Sequence, residues 1–459
     1  MKKTKQVKKL ETDPIVNKLL YWSIFVFILK LIVILNITQI NFNLSDGRIL
    51  QINDIWLGAD GENYLKGYDA MLKDGIFSSE QILNYWPAGY PILILLLSVL
   101  SKSWVLTTLS ILQSVIFSYA CFFFCKQLLN TRLKKIVFFI FIFIIFNPTL
   151  TLSSLVIGYE SLVASGILIS LGLILKDINE RDNSKLKTYL VIYSLISGFI
   201  IFMQPRFIIS CILTTMIWLI YRLGPRLAII SLIASLVITL ILPASLIYRN
   251  NQANGLNSIS TNLGTTMNFG AGENASGGYD DKNTGVDCKT SGSISQQDTQ
   301  KVKCVLTWYL QNPIKSLQLF YNKSIYFWSP WVGPLAEGTM ARNPWLKINP
   351  IVDITSNEDG FNLVYGNFGK LVSWLWMLSG LGLLALGFRR IWILGEIERV
   401  LLGISGSIIL SNWLITLVTI GDHRFRLPIM GITLFIQAVG LASIIKGKSL
   451  DLAPKPALR

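Results

Sequence analysis

The sequence predicts an all-α polytopic membrane protein of about ten transmembrane helices, with an α-rich mixed cap on the extracytoplasmic side. Three observations carry this expectation. The chain of 459 residues is 52% hydrophobic and only 15% charged, whereas soluble domains carry roughly 25% charged residues. Several apolar runs approach or exceed the roughly 20 residues that cross a bilayer as helix, and helices are the default spanning structure for such a pattern. The net charge of +15 comes from Lys and Arg placed mainly at the ends of apolar runs, which reads as topology rather than nucleic-acid binding.

The basic tail MKKTKQVKK is expected to stay cytoplasmic. The first apolar run is too long for a secretory signal and lacks a small-residue cleavage site, so it reads as a retained anchor. Leu19 to about Thr38 makes the first crossing and delivers the acid-rich stretch Asp54–Pro91 to the far side. Ile92–Leu100 is too short to span and reads as a juxtamembrane or half-inserted helix. Trp104–Phe124 crosses back to the basic patch Lys126, Arg132, Lys134 and Lys135. Ile136–Phe146 leads out to Asn147-Pro148 and a short loop reaching Glu160, and Ser161–Leu175 returns to the polar loop KDINERDNSKLK.

Thr188–Met203 then goes out to Gln204-Pro205-Arg206, and Phe207–Tyr221 comes back to Arg222 and Arg226. Leu227–Ile247 leaves once more. Tyr248–Lys370 is the long polar region: a Gly/Asn/Ser-rich loop by composition, then amphipathic, aromatic-rich sequence expected at the membrane surface. Leu371–Phe388 returns to Arg389-Arg390, Val400–Ile420 goes out to GDHRFR, and Leu427–Ile445 comes back. Both termini fall inside. The expected division is 1–247, a transmembrane module carrying the loops 41–91 and 147–160; 248–370, an extracytoplasmic loop domain; and 371–459, the C-terminal helices.

Cys121, Cys125 and Cys211 lie in apolar runs and read as packing residues. Cys288 and Cys304 fall sixteen apart in the long loop, on the face assigned to an oxidising compartment, where a disulfide is the expectation and two free thiols the alternative. His423 is the chain's single histidine. That argues against a structural zinc site at the loop cysteines and against a Ser-His-Asp device in any other loop.

The first loop reads Asp60-Gly-Glu-Asn-Tyr64, then Ala70, Gly75 and Pro87-Ala-Gly-Tyr-Pro91. This resembles the first extracytoplasmic loop of the GT-C membrane glycosyltransferases, which include protein O-mannosyltransferases and the lipid A aminoarabinose transferases. Asn147-Pro148 with Tyr159-Glu160 resembles the second acidic loop, and Thr261–Tyr279 the Gly/Asn-rich loop of bacterial members. Tyr309–Pro313 with Lys323 resembles the helix that follows, and Gly421–Ile429 the Arg-aromatic-Arg-Leu-Pro motif. Two departures leave the subfamily open: Asp60 is followed by Gly where paired acids are common, and Met430 stands where many members have Pro.

The resemblance implies transfer of a sugar from a polyprenyl-phosphate donor to an acceptor hydroxyl (lipid, glycan or protein), with inversion, in a bacterial inner membrane with the site facing outward. Asp60 is then the candidate catalytic base, with Asp54 or Glu62 behind it and a helix-start carboxylate as the plain alternative. Glu160 would orient the acceptor or help Asp60 hold a divalent cation, the one cofactor this reading leaves room for; the plain alternative is an acid at a helix N-terminus. Arg424 and Arg426 suit a donor phosphate through bidentate bonding, with Lys323 and Arg206 as secondary candidates beside simple headgroup contact. Tyr64, Trp86 and Tyr90 would line the substrate, or else belong to an aromatic belt. The rival is a lipid-linked sugar transporter or flippase, which would line a central path with charge. Convergence of Asp60, Glu160 and Arg424 in one place separates the two.

Overall fold

The computed structural model describes residues 14–36, 40–45, 47, 49–52, 60–100, 103–278, 285–329 and 366–446. Apolar sequence becomes helix here because a bilayer core offers backbone groups no water, and a helix satisfies them within one segment. Among the described residues nine helices are long and apolar enough to cross a membrane, and a bent pair would make a tenth. The all-α architecture expected from composition is therefore the one found, and its dimensions are those of an integral membrane protein.

The first span is α1 (Pro14–Asn36), whose outer face is exposed apolar surface at Leu20, Ile24, Ile28 and Ile32. An antiparallel ribbon follows, β1 (Ile40–Asn43) paired with β2 (Ile49–Ile52), Ile40 opposite Ile52. The first loop then folds as three short helices, α2 (Gly61–Asp74), α3 (Ile82–Tyr85) and α4 (Gly89–Leu100). The span α5 (Val105–Leu128) packs along both α1 and α8 (Glu160–Glu180).

The third crossing is not the single straight run expected over Ile136–Phe146. It is α6 (Val137–Ile145) followed by α7 (Pro148–Leu152), bent by 59°. The break has a local cause. Pro148 lacks the N–H that would continue the ladder, and Asn147 caps the new helix by accepting from the Leu150 N–H at 3.0 Å.

The polar segment KDINERDNSKLK, expected as a loop, is mostly helix. α8 runs through Glu180 and α9 (Asn183–Met203) begins at once, joined by Arg181 in the left-handed region (φ 50°) and by Asp182, which caps α9 through the Ser184 N–H. α10 (Ile208–Leu223) and α11 (Pro225–Asn254) follow, α11 reaching beyond the expected Ile247 before Gly255 ends it. The Gly/Asn/Ser-rich segment likewise contains a helix, α12 (Leu263–Phe269), which lies against α13 (Ile294–Gln311), and α14 (Pro313–Trp328) follows. A disulfide joins Cys288 to Cys304.

The last three helices are α15 (Gly366–Leu394), α16 (Glu396–Val418) and α17 (Met430–Lys446). α15 and α17 approach backbone to backbone: a Cβ on Gly387 would lie 2.0 Å from the Ile436 carbonyl oxygen, and one on Gly440 2.2 Å from that of Leu383. Only glycine permits this crossing. The chain's alternation sorts its polar groups to two ends. One end holds the buried pair Asp177–Arg222 at 2.7 Å and the bond from the Arg132 N–H to Glu398. The other holds the loops expected to face outward, and with them the candidate site.

Candidate active site

Asp60 is the N-cap of α2, where the helix dipole favours an anion, but its side chain makes no cap bond. It turns inward instead and accepts from Nη2 of Arg424. Glu160 opens α8, and its Oε1 accepts from Nε of the same arginine at 2.6 Å. Arg424 reaches both from the 3-10 turn His423–Ile429 between α16 and α17, itself capped by Asp422 through the Arg424 N–H at 2.9 Å. One guanidinium thus bridges two carboxylates that lie 364 and 264 residues away in the chain. All three groups are buried, where unpaired ions cost several kcal/mol each, so each is held by the others.

Neighbouring side chains hold these groups in place. The Tyr90 phenol donates to Oε1 of Gln113 at 3.0 Å and accepts from the Gly158 N–H at 2.9 Å, which pins the strand of chain just before Glu160. Gly158 leaves room for the carboxylate: a Cβ there would lie 2.4 Å from Glu160 Oε2. Tyr64, one turn after Asp60, is buried and packs on Tyr90 with ring centroids 4.9 Å apart. Burial, then the nearby Asp60 carboxylate, raises its phenol well above the usual range. Burial also pushes the Asp422 carboxyl up to about 6, against the pull of the Arg424 amide and guanidinium.

The other basic candidates lie around the same turn. Arg206, at the start of the α10 span, donates from Nη2 to the Phe425 carbonyl at 3.1 Å and lies 4.5 Å from the Phe425 ring centroid; its Nε has no partner. Arg426 donates to the carbonyls of Trp328 (2.6 Å) and Ser329 (2.9 Å), and its Nε also has no partner. Lys323, on α14, is fully buried and donates to the Tyr309 phenol at 2.7 Å and the Leu417 carbonyl at 2.9 Å. Gly421 packs directly on its backbone, a Cβ there falling 2.6 Å from Lys323 Cα. Burial lowers the Lys323 amine to about 7.

The structure therefore brings Asp60, Glu160 and Arg424 into contact, with Tyr64 and Tyr90 beside them and Arg206, Arg426 and Lys323 around the Gly421–Arg426 turn. Trp86 packs edge-on against Tyr85 at 5.2 Å and is half-buried. Glu62 points outward and pairs with Lys66 at 2.8 Å, both exposed, so it is no part of the cluster. Asp54 lies outside the described residues. Among the described residues no three of His, Cys, Asp and Glu come together as a metal-holding group.

Sequence reasoning did not single out Asp422, Gln113, Gly158 or Arg249. Arg249, near the C-terminal end of α11, donates to the carbonyls of Ile76 (2.9 Å) and Ser78 and to the side chain of Asn84 (3.3 Å), clamping the first loop. Its signal was the one that marked Arg424, an arginine at a span end expected to face outward, against the positive-inside bias.

No family model matches the sequence, and no curated protein matches it. Among solved structures the chain is similar to the archaeal oligosaccharyltransferase AglB from Archaeoglobus fulgidus, in complex with an inhibitory peptide and a dolichol-phosphate. The identity is 12% and the TM-score 0.43; the match covers 96% of this chain and 53% of that one, so this chain spans about half its length. A likeness this distant carries no functional argument.

Proposed function

We propose that the chain is an integral membrane glycosyltransferase that moves a sugar from a polyprenyl-phosphate donor to an acceptor hydroxyl, with inversion, on the extracytoplasmic face of a bacterial inner membrane. One observation supports this reading above the others. Asp60, Glu160 and Arg424, taken from three GT-C-like motifs far apart in sequence, meet as a single buried cluster. A transporter would spread its charge along a path through the helices; here Asp60, Glu160 and Asp422 gather with Arg424 at one end.

In this mechanism Asp60 accepts the proton of the attacking hydroxyl. The hydroxyl oxygen bonds to the anomeric carbon from the face opposite the phosphate, the carbon–oxygen bond to phosphate breaks, and the polyprenyl phosphate leaves as an anion. Arg424 orients the base and Glu160 orients the acceptor. The unpartnered Nε groups of Arg206 and Arg426 and the Lys323 amine receive the leaving phosphate, which a planar guanidinium fits well. Tyr64 and Tyr90 wall the sugar. Between the modules 1–247 and 371–459, the region 248–370 contributes α12, α13 and α14 to the cap, α14 lying against the turn that carries Arg424. A divalent cation, were one used, would have to share Asp60 and Glu160 with Arg424.

The test is transfer of radiolabelled sugar from a panel of polyprenyl-phosphate donors in membranes, native chain against Asp60→Asn. The native chain is expected to transfer, and the equally expressed variant to lose at least about 100-fold, the scale of a lost general base. Equal transfer by both would remove Asp60 from the chemistry.

A further inference from the structure

The chain that joins α7 to α8 delivers Glu160 without being regular helix. After the 3-10 turn Ser153–Leu155 it opens at Val156 into extended backbone (φ −85°, ψ 146°), and every residue from Ser153 to Tyr159 is buried. Buried backbone outside a helix needs partners for its carbonyls and N–H groups. Two side chains one turn apart on α5 supply them. Ser110 Oγ donates to the Leu155 carbonyl at 3.2 Å, and Gln113 Nε2 donates to the carbonyls of Ser154 (3.1 Å) and Val156 (3.0 Å). Only the nitrogen of an amide can serve two carbonyls, so the Gln113 side chain has one orientation, and its Oε1 is left for the Tyr90 proton at 3.0 Å. Tyr90 in turn accepts the Gly158 N–H at 2.9 Å. The same segment is fastened from α1. Ser154 Oγ gives its proton to the Thr151 carbonyl at 2.8 Å, so it accepts from Lys30 Nζ at 2.9 Å and from Ser114 Oγ at 3.3 Å. Lys30 is buried within its span, where a cation is costly, and its bond goes to the chain that precedes Glu160.

These restraints end where the Glu160 carboxylate rests. Its Oε2 lies against Gly158, where an added Cβ would come within 2.4 Å, and its Oε1 accepts from Arg424 Nε at 2.6 Å. The carboxylate is thus set between a clamped backbone and a guanidinium, and a shift of Gly158 carries it off Arg424. Gln113 is itself fully buried and bonds to none of Asp60, Glu160 and Arg424. We propose that Gln113 is a positioning residue of the active site: through Ser154, Val156 and, by way of Tyr90, Gly158, it fixes the backbone that presents Glu160 to Arg424. Its part in transfer rests on the reading of Glu160 as the group that orients the acceptor; its hold on Glu160 does not.

The experiment takes the full chain in lipid nanodiscs as Gln113→Met, Glu160→Gln and the double variant. Gln113→Met removes both N–H groups at similar volume and leaves two buried carbonyls unpaired, so the Tm is expected to fall by about 3 °C. Because Gln113 acts through Glu160, the double variant should fall by less than the sum of the single ones. Additive shifts would make Gln113 ordinary scaffolding and overturn the proposal. Gln113→Glu, isosteric and neutral when buried, keeps an acceptor for Tyr90 but serves only one of the two carbonyls, and it carries the same cycle where Gln113→Met does not fold. Transfer from the polyprenyl-phosphate panel, at matched amounts of folded protein, reads the catalytic consequence. The maximal rate is expected to fall about 10- to 100-fold with the half-saturating donor concentration unchanged. An unchanged rate, or a donor requirement that moves with the rate, rejects the assignment. A native chain that transfers from no donor removes the glycosyltransferase reading alone, and the Tm cycle still decides whether Gln113 positions Glu160.

Discussion

Arg424 decides most at the scale of single residues. Its two faces satisfy two buried carboxylates at once, Nε on Glu160 and Nη2 on Asp60. Arg424→Ala leaves both acids buried without a partner, a loss of about 3–5 kcal/mol in stability. Arg424→Lys keeps the charge but not the fork, and a point ammonium cannot hold both acids in this geometry. Both variants are expected to unfold at lower temperature in nanodiscs and to lose transfer, Arg424→Ala more in stability. An Arg424→Lys protein with native Tm and native transfer would make the bridge incidental.

Two more residues of this region fix a pH dependence. Asp422 has a folded pKa of about 6 against an ordinary 3.8, so its contribution is fully present below about 3.8 and is lost as pH rises through 6. Lys323 has a folded pKa of about 7 against 10.5, so its contribution is present above 10.5 and lost as pH falls through 7. Between pH 6 and 7 both are charged and buried. Thermal stability is therefore expected to pass through a minimum in that window, and Lys323→Met should flatten the rise above pH 7. A monotonic profile would contradict the assignment.

Short elements around breaks do the positioning at the scale of secondary structure. Asn147 and Pro148 end α6 and start α7, and the chain leaving α7 is held by Tyr90 at Gly158 before Glu160 opens α8. In the cap, Ser293 and Gln296 form a capping box that starts α13, and Cys304 within that helix is tied back to Cys288. A disulfide across a sequence separation of 16 is worth roughly 3 kcal/mol. Cys304→Ser should lower the Tm and open the α12–α13 region to protease while the transmembrane helices stay resistant. Proteolysis unchanged from the native chain would place the cap's stability elsewhere. The remaining cysteines, Cys121, Cys125 and Cys211, are buried and unpaired with one another, in keeping with their expected packing role.

For the molecule as a whole, the question is which end faces which compartment. Lys66, on α2, and Lys185, on α9, are both exposed and sit at opposite ends of the alternation of spans. A membrane-impermeant maleimide is expected to label Lys66→Cys from outside intact cells and Lys185→Cys only after permeabilisation. The reverse pattern would invert the topology, and with it the extracytoplasmic placement of the site.

Composition and apolar run length determined the membrane class, the helical fold and nearly every span, because the bilayer imposes its thickness on one segment at a time. The resemblance to the GT-C loop motifs nominated Asp60, Glu160 and Arg424, and for the arginine its place against the expected charge bias added to it. Their contact could not be read from the chain, since it joins groups hundreds of residues apart and depends on how α2, α8 and the turn before α17 pack. The same holds for Asp422 and for the room Gly158 leaves. These are matters of packing between helices, where small residues and polar contacts rather than hydrophobic pattern set the partners, and only the tertiary structure decided them.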